Sequence, residues 1–333
     1  MHSVCLERSN KPTNESAKFR VWPHRYASKT DTGPGTVFAT FNEYLSKYNS
    51  MNLSPIINIE EFLRIFRDPH VLIFDARSGA DAKARYTAEH IEGARFVDLD
   101  TQLADIKEDV AQGGRHPLPE IEKFTRTLGE LGISKNKHVV IYDDKNGSNA
   151  AARFWWMLRS LGHEKVQVLN GGLNKANRDK LPLCAGTVLA QQEAMPYHAE
   201  KWNLPVSSIG EVEKVSLDPN YLIVDVRDKA RYDGLTEPID LVAGHIPGAI
   251  NIPFTENLDG NGYFLSPDTL KTKYTETFGE TEPRNIIVHC GSGVTACHTL
   301  LALAHAEMEI PKLYVGSWSE WSRNNKKIEK VNP

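Results

Sequence analysis

The chain of 333 residues contains one pattern twice, and this repetition constrains the fold more than any other feature. Four segments of the first half return in the second half, each at an offset of about 150 residues. The paired segments are 71–77 with 222–227, 86–94 with 244–249, 139–143 with 286–290, and 166–172 with 313–317. A repeat of this length is a whole domain and not a solenoid unit. We therefore predict two tandem copies of one domain.

Within each copy, short runs rich in β-branched residues alternate with helical stretches, which are predicted at 59–66, 151–161 and 295–307. Apolar runs bounded by turns are typical of parallel strands that are buried on both faces, with helices packed outside. We therefore predict an α/β fold. The stretch 150–161 is apolar on most sides, so we expect it to lie between its own sheet and the second domain.

We place an N-terminal extension, expected to be disordered, at residues 1–52. The first domain follows at 53–185, a proline-containing linker at 186–204, and the second domain at 205–333. The extension is rich in Lys and Arg and lacks the apolar core of a secretory signal. Three interpretations of it remain open: a disordered lead-in, a mitochondrial presequence, or an artefact of start-site choice.

Composition excludes several classes of protein. The net charge of −4 and the pI of 6.3 argue against a nucleic-acid-binding protein. No apolar run approaches the roughly 18 residues of a membrane span. Four cysteines in so long a chain do not form a disulfide framework, which favours a reducing compartment. We expect a cytoplasmic protein without nucleic-acid or membrane partners, and a mitochondrial location is the alternative.

One cysteine lies where an apolar strand runs through a glycine-containing loop into a helix. Cys290 is followed by Gly291 and Gly293. The glycines let the chain curl around the sulfur, so that several backbone N–H groups and the positive end of the helix can point at it. Such surroundings favour the thiolate, which is the reactive form. A buried structural cysteine is the alternative, but it needs neither the loop nor the helix, so we predict that Cys290 is a nucleophile.

The two copies differ at this point. The position equivalent to Cys290 in the first copy is Asp143, so only the second domain can form a sulfur nucleophile. The first domain is then expected to be a structural partner.

These features resemble the two-domain rhodanese sulfurtransferases, and within that family the 3-mercaptopyruvate sulfurtransferase branch. The segments that carry the resemblance are 290–295, 93–100, 116–119, 155–159, 244–249 and 316–321. The resemblance covers roughly residues 55–328. It implies that each domain is a five-stranded, mainly parallel sheet flanked by helices.

The resemblance also implies the reaction. Cys290 would take sulfane sulfur from 3-mercaptopyruvate, release pyruvate, and pass the sulfur from a persulfide to a thiol acceptor, expected to be thioredoxin, or to cyanide. No cofactor and no metal are implied, and we expect a monomer. The donor-binding loop is expected to consist of Ser292 with Gly291, Gly293, Val294 and Thr295.

The loop favours one donor over another. Thiosulfate is a dianion, and relatives that prefer it carry Arg or Lys in this loop, whereas this loop is neutral. We therefore expect thiosulfate to be a poor donor. A thiosulfate sulfurtransferase with the same persulfide mechanism is the alternative.

By resemblance, Ser292, His116 and Asp100 assist proton transfer at the cysteine. His116 lies in a loop of the first domain that could reach across the domain interface. Each residue has a simpler interpretation: Ser292 as a turn serine, His116 as a solvent-exposed histidine, and Asp100 as a local cap.

The donor's carboxylate needs a cation, and Arg231 matches one of the family's two substrate-binding arginines. The second arginine normally follows a Glu-Pro pair, but here Glu237-Pro238 is followed by Ile239 and Asp240. The second anchor is therefore unassigned. The alternative for Arg231 is a surface arginine paired with a neighbouring acid.

Two other functions fit the sequence less well than sulfur transfer. Protein phosphatases of this fold need an arginine six positions after the cysteine, where this chain has Ala296. A non-catalytic interaction module would not need Cys290 in an intact loop. Cys297 is predicted to pack inside the protein, the alternative being a resolving thiol, and Cys297 and His298 diverge too far to bind one zinc ion.

Several further residues are predicted to be structural. Asp75 and Asp225 end apolar strands and are expected to pair with Arg77 and Arg227. Trp318 and Trp321 are expected to pack under the loop of Cys290.

Overall fold

The structure is a computed structural model that describes residues 53–188 and 196–331. The predicted N-terminal extension and part of the predicted linker lie outside the described residues. The strands are β1 Ile56–Ile57, β2 Val71–Asp75, β3 His90–Ile91, β4 Arg95–Phe96, β5 His138–Tyr142, β6 Val166–Leu169, β7 Leu183–Cys184, β8 Val206–Ser207, β9 Leu222–Asp225, β10 Ile250–Asn251, β11 Ile286–His289 and β12 Lys312–Tyr314.

The described α-helices are Ile59–Ile65, Ala82–Ala88, Leu99–Gln102, Ile121–Glu130, Ala150–Ser160, Lys175–Arg178, Ile209–Val215, Lys229–Tyr232, Pro267–Phe278, Ala296–His305 and Ser317–Trp321. Short 3-10 helices occur at Phe254–Asn257 and Pro283–Asn285. Among the described residues, no helix has the length and apolar character needed to cross a membrane.

The strands form two separate five-stranded sheets. Their orders are β1-β6-β5-β2-β4 and β10-β9-β11-β12-β8, and every pair within them is parallel. A small antiparallel pair, β3 with β7, adds to the first half. The prediction of two α/β domains, each with a five-stranded sheet flanked by helices, is confirmed.

Both domains begin their first helix with a hydrogen bond between the N-cap residue and the glutamate three positions later. The N–H of Asn58 donates to the carboxylate of Glu61, and the hydroxyl of Ser208 accepts from the N–H of Glu211. Such caps satisfy backbone N–H groups that have no partner inside the helix. The repeat therefore extends to the local signals that start each domain.

The strand register shows that the repeat is structural. In the first sheet Asp75 lies opposite Tyr142, and in the second sheet Asp225 lies opposite His289. The residues that follow Tyr142 and His289 therefore leave the two sheets at equivalent points. The sequence correspondence between Asp143 and Cys290 is confirmed.

The predicted ion pairs at the strand ends are also present. Nη2 of Arg77 lies 2.6 Å from the carboxylate of Asp75, and Nη2 of Arg227 lies 2.5 Å from that of Asp225. Both pairs are almost completely buried. Removing one partner of such a pair leaves a buried charge, which typically costs about 3–5 kcal/mol.

The helix Ala150–Ser160 packs against its counterpart Ala296–His305, and their buried side chains belong to one hydrophobic core that spans both domains. Trp155 and Trp156 of the first helix and Leu300 of the second have no solvent exposure. The prediction that the first of these helices lies between its sheet and the second domain is confirmed. Burial of each large apolar side chain contributes about 1.5–3 kcal/mol, so this contact fixes the two domains against each other.

Candidate active site

A cavity of about 330 Å³ lies between the two domains, and Cys290 is part of its wall. Cys290 directly follows β11 and is 2% exposed. The first domain contributes Ser78, Gly79, Leu99, Asp100, Arg115, His116 and Asn149, and the second contributes Arg227, Asp228, Arg231, Ile239, Phe254, Gly291, Ser292, Val294 and Thr295. The cavity is therefore shared, and neither domain could form it alone.

The loop after Cys290 is tied to the short helix Ser317–Trp321. The N–H of Cys290 donates to the hydroxyl of Ser317 at 3.2 Å, and the carbonyl of Cys290 accepts from the N–H of Trp318 at 3.0 Å. Trp318 and Trp321 are buried and pack in one apolar cluster with Ile287 and Tyr314. Gly293 has a φ of +72°, and a Cβ there would lie 2.4 Å from the carbonyl oxygen of Val315, so only glycine fits.

The equivalent loop of the first domain surrounds a carboxylate. Asp143 accepts hydrogen bonds from the backbone N–H groups of Lys145 at 2.9 Å, Gly147 at 2.8 Å and Asn149 at 3.0 Å. Burial raises the pKa of Asp143 to about 6, although these N–H groups act in the opposite direction. The strand-loop-helix unit of this chain can therefore direct several N–H groups at one anionic side chain. The corresponding arrangement around Cys290 remains a prediction.

The structure brings Ser292, His116 and Asp100 together. Oγ of Ser292 lies 2.8 Å from Nδ1 of His116, and Nε2 of His116 lies 3.3 Å from a carboxylate oxygen of Asp100. The local cap that was the alternative role for Asp100 is supplied by Asp98, whose carboxylate accepts from the N–H groups of Asp100 and Thr101. His116 is mostly buried, so it is not the solvent-exposed histidine of the simpler interpretation.

The electrostatics fix the state of this histidine. Burial, together with the positive charges of Arg115 and Arg153, lowers the pKa of His116 to about 3. The ring is therefore neutral at neutral pH. A carboxylate only accepts hydrogen bonds, so Nε2 carries the proton toward Asp100, and Nδ1 accepts from the hydroxyl of Ser292. The three residues can thus relay a proton between the two domains.

A buried arginine joins the loop after Cys290 to the loop of His116. Arg153 has no solvent exposure and donates to the carbonyl of Gly293 and to that of His116, each at 3.1 Å. It makes no ion pair with a carboxylate in the part of the chain that the structure describes. Burial lowers the pKa of Arg153, and the nearby thiols of Cys297 and Cys290 raise it. The sequence signal for this residue, which was not among the predicted site residues, is an arginine among the apolar residues 150–158.

Cys297 packs behind the loop. Its Sγ donates to the carbonyl of Gly293 at 3.3 Å, the residue has no exposure, and burial raises its pKa to about 12. These observations support the packing interpretation over the resolving thiol. Across residues 53–188 and 196–331, no group of three or more His, Cys, Asp or Glu side chains could hold a metal ion.

Arg231 lines the cavity but is also paired with acids. Its Nη2 lies 2.7 Å from the carboxylate of Glu237 and 3.4 Å from that of Asp240. The alternative interpretation, pairing with a neighbouring acid, therefore describes its contacts correctly. Its place in the cavity wall keeps the predicted role open.

A second arginine, which sequence analysis did not single out, lies beside the first. Nε of Arg115 is 3.2 Å from Asp240. A Cβ placed on Gly291 would lie 3.0 Å from Nη2 of Arg115 and 3.5 Å from Nη2 of Arg231. Two guanidinium groups therefore lie over the loop. The loop itself has no charged residue, but Arg115 and Arg231 place positive charge next to it.

Comparisons with known proteins agree with this architecture. A family model described as the rhodanese-like domain matches residues 58–179 and 208–324. The chain is 35% identical, over 81% of its length and 96% of the relative's, to the probable 3-mercaptopyruvate sulfurtransferase of Pseudomonas aeruginosa. It is 34% identical to the putative thiosulfate sulfurtransferase SseB of Mycobacterium tuberculosis, covering 77% of this chain and 88% of the relative.

A solved structure matches both domains. The crystal structure of SseA from Escherichia coli, described among the 3-mercaptopyruvate sulfotransferases with a rhodanese fold, is 34% identical. It covers 80% of this chain and 100% of its own, with a TM-score of 0.64.

Proposed function

Because the chain belongs to the rhodanese family of sulfurtransferases and carries two rhodanese-like domains, we propose that it transfers sulfur from 3-mercaptopyruvate through a persulfide on Cys290. The observation that supports this best is the placement of Cys290 in a cavity whose wall also holds the hydrogen-bonded Ser292, His116 and Asp100. A nucleophilic thiol and a proton relay are the two elements that sulfur transfer from a thiol donor requires.

In the first half-reaction the thiolate of Cys290 attacks the sulfur atom of the donor. The carbon–sulfur bond breaks, its electron pair stays on the carbon as the enolate of pyruvate, and a new sulfur–sulfur bond forms on Cys290. The donor's S–H proton passes through Ser292 and His116 to the enolate carbon, which yields pyruvate and leaves the persulfide anion. Neutral His116 can accept this proton and return it, with Asp100 stabilising the ring while it is charged.

In the second half-reaction a thiolate of the acceptor attacks the outer sulfur. The sulfur–sulfur bond breaks, its electron pair returns to Cys290, and the acceptor leaves as a persulfide. We propose a protein dithiol of the thioredoxin type as the acceptor. The loop beside the cavity offers it an apolar contact surface, because Leu235, Ile239 and Leu241 are all more than half exposed there and Ile239 also lines the cavity.

Thiosulfate is the second candidate donor. The name of the mycobacterial relative and the guanidinium groups over Gly291 both favour it. The neutrality of residues 291–295 and the names of the other relatives favour mercaptopyruvate. A comparison of initial rates with the two donors decides between them, and faster turnover of thiosulfate would overturn the donor while leaving the mechanism intact.

The mechanism is tested on the purified protein. Incubation with 3-mercaptopyruvate and cyanide or a dithiol is expected to release pyruvate, and intact-mass analysis after donor alone is expected to show one added sulfur atom on Cys290. Cys290→Ser should abolish both signals, whereas the control Cys297→Ser should keep them. Absence of the adduct on Cys290 in an active enzyme would refute the persulfide.

We also propose a cytoplasmic location, with the mitochondrion as the alternative. A nucleophilic thiol that must stay reduced suits either compartment. Imaging of the full-length chain with a C-terminal tag separates the two.

A further inference from the structure

We infer that Arg115 of the first domain and Arg231 of the second form a two-arginine clamp that binds the carboxylate of the sulfur donor. The inference rests on the proposed function and adds the substrate-binding cation that the segment after Glu237-Pro238 lacks. It assigns substrate recognition to both domains, although only the second carries the nucleophile.

The two arginine side chains lie close to Cys290 in the fold. Both line the cavity that holds Cys290. Gly291 directly follows the nucleophile, and a Cβ on it would lie 3.0 Å from Nη2 of Arg115, 3.5 Å from Nη2 of Arg231 and 3.6 Å from its Nη1. The two guanidinium groups therefore lie next to each other and close to the chain at the sulfur. A three-carbon donor has sulfur at one end and a carboxylate at the other, which matches a thiol and two guanidinium groups in the wall of one cavity.

Each of the two guanidinium groups also has N–H donors that no acid occupies. Arg115 uses Nε and Nη2 to contact Asp240, and Arg231 uses Nε and Nη2 to contact Glu237 and Asp240. Nη1 of each has no hydrogen-bond acceptor among the residues that the structure describes. Guanidinium N–H groups held by acids on one side are available to a carboxylate on the other.

Asp240 holds both arginines of the clamp in position. Its side chain is completely buried and contacts Arg115, Arg231 and also Arg323, whose Nη1 lies 3.0 Å away. Arg323 is not part of the cavity wall. One buried carboxylate therefore gathers arginines from both domains, and only two of them face the site. This separation provides a matched control.

The test compares Arg115→Ala with the control Arg323→Ala, since both remove one partner of Asp240. For 3-mercaptopyruvate, Arg115→Ala should raise KM roughly 10- to 100-fold and leave kcat within about threefold, as expected for a lost charge-assisted hydrogen bond. Arg323→Ala should change KM by less than about twofold. The KM of Arg115→Lys should lie between those of the wild type and Arg115→Ala, because an ammonium group keeps the charge but cannot donate two parallel hydrogen bonds to a carboxylate.

A donor without a carboxylate makes the test specific. For mercaptoacetone, Arg115→Ala and wild type should have the same KM, and the inhibition constant of pyruvate should rise in Arg115→Ala by about the same factor as KM for mercaptopyruvate. Equal effects of Arg115→Ala and Arg323→Ala, or an unchanged KM for mercaptopyruvate, would overturn the clamp. Failure of the wild-type enzyme to release pyruvate would instead overturn the proposed function.

Discussion

Oγ of Ser292 and Nδ1 of His116 lie 2.8 Å apart, although they belong to different domains and are 176 residues apart in the chain. The second domain supplies Cys290 and Ser292, and the first supplies His116 and Asp100, which complete the proposed relay. The packing of the helices Ala150–Ser160 and Ala296–His305 therefore determines the geometry of the site as well as the stability of the chain.

This contact predicts that Ser292 and His116 act as one unit. Ser292→Ala and His116→Asn should each lower kcat for mercaptopyruvate about 100-fold, because each breaks the same proton relay. The double variant should be no more than about threefold slower than the worse single variant. Steady-state kinetics of the three variants provide the measurement. Effects that multiply would show that the two residues act separately.

Stability is predicted to fall between pH 7 and pH 5. Burial lowers the pKa of His116 and His298 to about 3 and that of His163 to about 4. In this range the unfolded chain binds protons that the folded chain excludes, so stability is complete above about pH 6.5 and decreases as the pH falls. Each of these histidines lowers the free energy of unfolding by about 2 kcal/mol at pH 5.

Asp143 works in the opposite direction. Its pKa is raised to about 6, so the folded state binds a proton there at a higher pH than the unfolded state does. This proton uptake stabilises the folded state as the pH falls and offsets roughly 1 kcal/mol of the loss caused by the histidines. The expected net loss in the free energy of unfolding is therefore on the order of 4 kcal/mol. Urea unfolding at the two pH values measures it, and His116→Asn should reduce the loss by the share of one histidine. A stability that stays constant from pH 7 to pH 5 contradicts the prediction.

Much of the architecture could be predicted from sequence because the relevant signals are local. The apolar strands of residues 139–143 and 286–290 are continuous in the chain, and their similarity identifies the duplicated domain. The strand-end pairs of Asp75 with Arg77 and Asp225 with Arg227 are two residues apart, so short-range reasoning finds them.

The missed residues act over long sequence distances. Arg115 lies 125 residues from Asp240, and Arg153 lies 140 residues from Gly293. No spacing rule links such positions, because their contacts exist only after the domains have packed. The predicted partner of the donor's carboxylate, Arg231, was found from a local motif, but its pairing with Glu237 and Asp240 required the folded loop.

Arg153 is predicted to hold the loop after Cys290 and the loop of His116 in place. Arg153→Met keeps much of the length but removes the donors to the carbonyls of Gly293 and His116. The kcat for mercaptopyruvate should fall about tenfold or more, because the two loops lose the side chain that joins them. Arg159→Met, on the exposed part of the same helix, is the control and should have the kcat of the wild type.

The two free cysteines among the described residues are predicted to differ in reactivity. Burial raises the pKa of Cys297 to about 12, so at pH 8 almost none of it is ionised, and the residue has no exposure. Peptide mapping after brief treatment of the folded enzyme with iodoacetamide should find the label on Cys290 and none on Cys297. Labelling of both at similar rates would support the resolving thiol instead.

Alanine substitutions at the two glycines of the loop are predicted to affect different properties of the protein, stability at Gly293 and donor binding at Gly291. Gly293 has a φ of +72° and faces the carbonyl of Val315, so Gly293→Ala should destabilise the protein by about 1–3 kcal/mol and abolish activity. At Gly291 the added methyl group would meet the ends of two long side chains, Arg115 and Arg231, and no backbone atom. Gly291→Ala should therefore keep the unfolding midpoint and raise KM for mercaptopyruvate several-fold. Thermal unfolding and kinetics measured side by side separate the two outcomes, and a destabilised Gly291→Ala protein with unchanged KM would contradict this account of the loop.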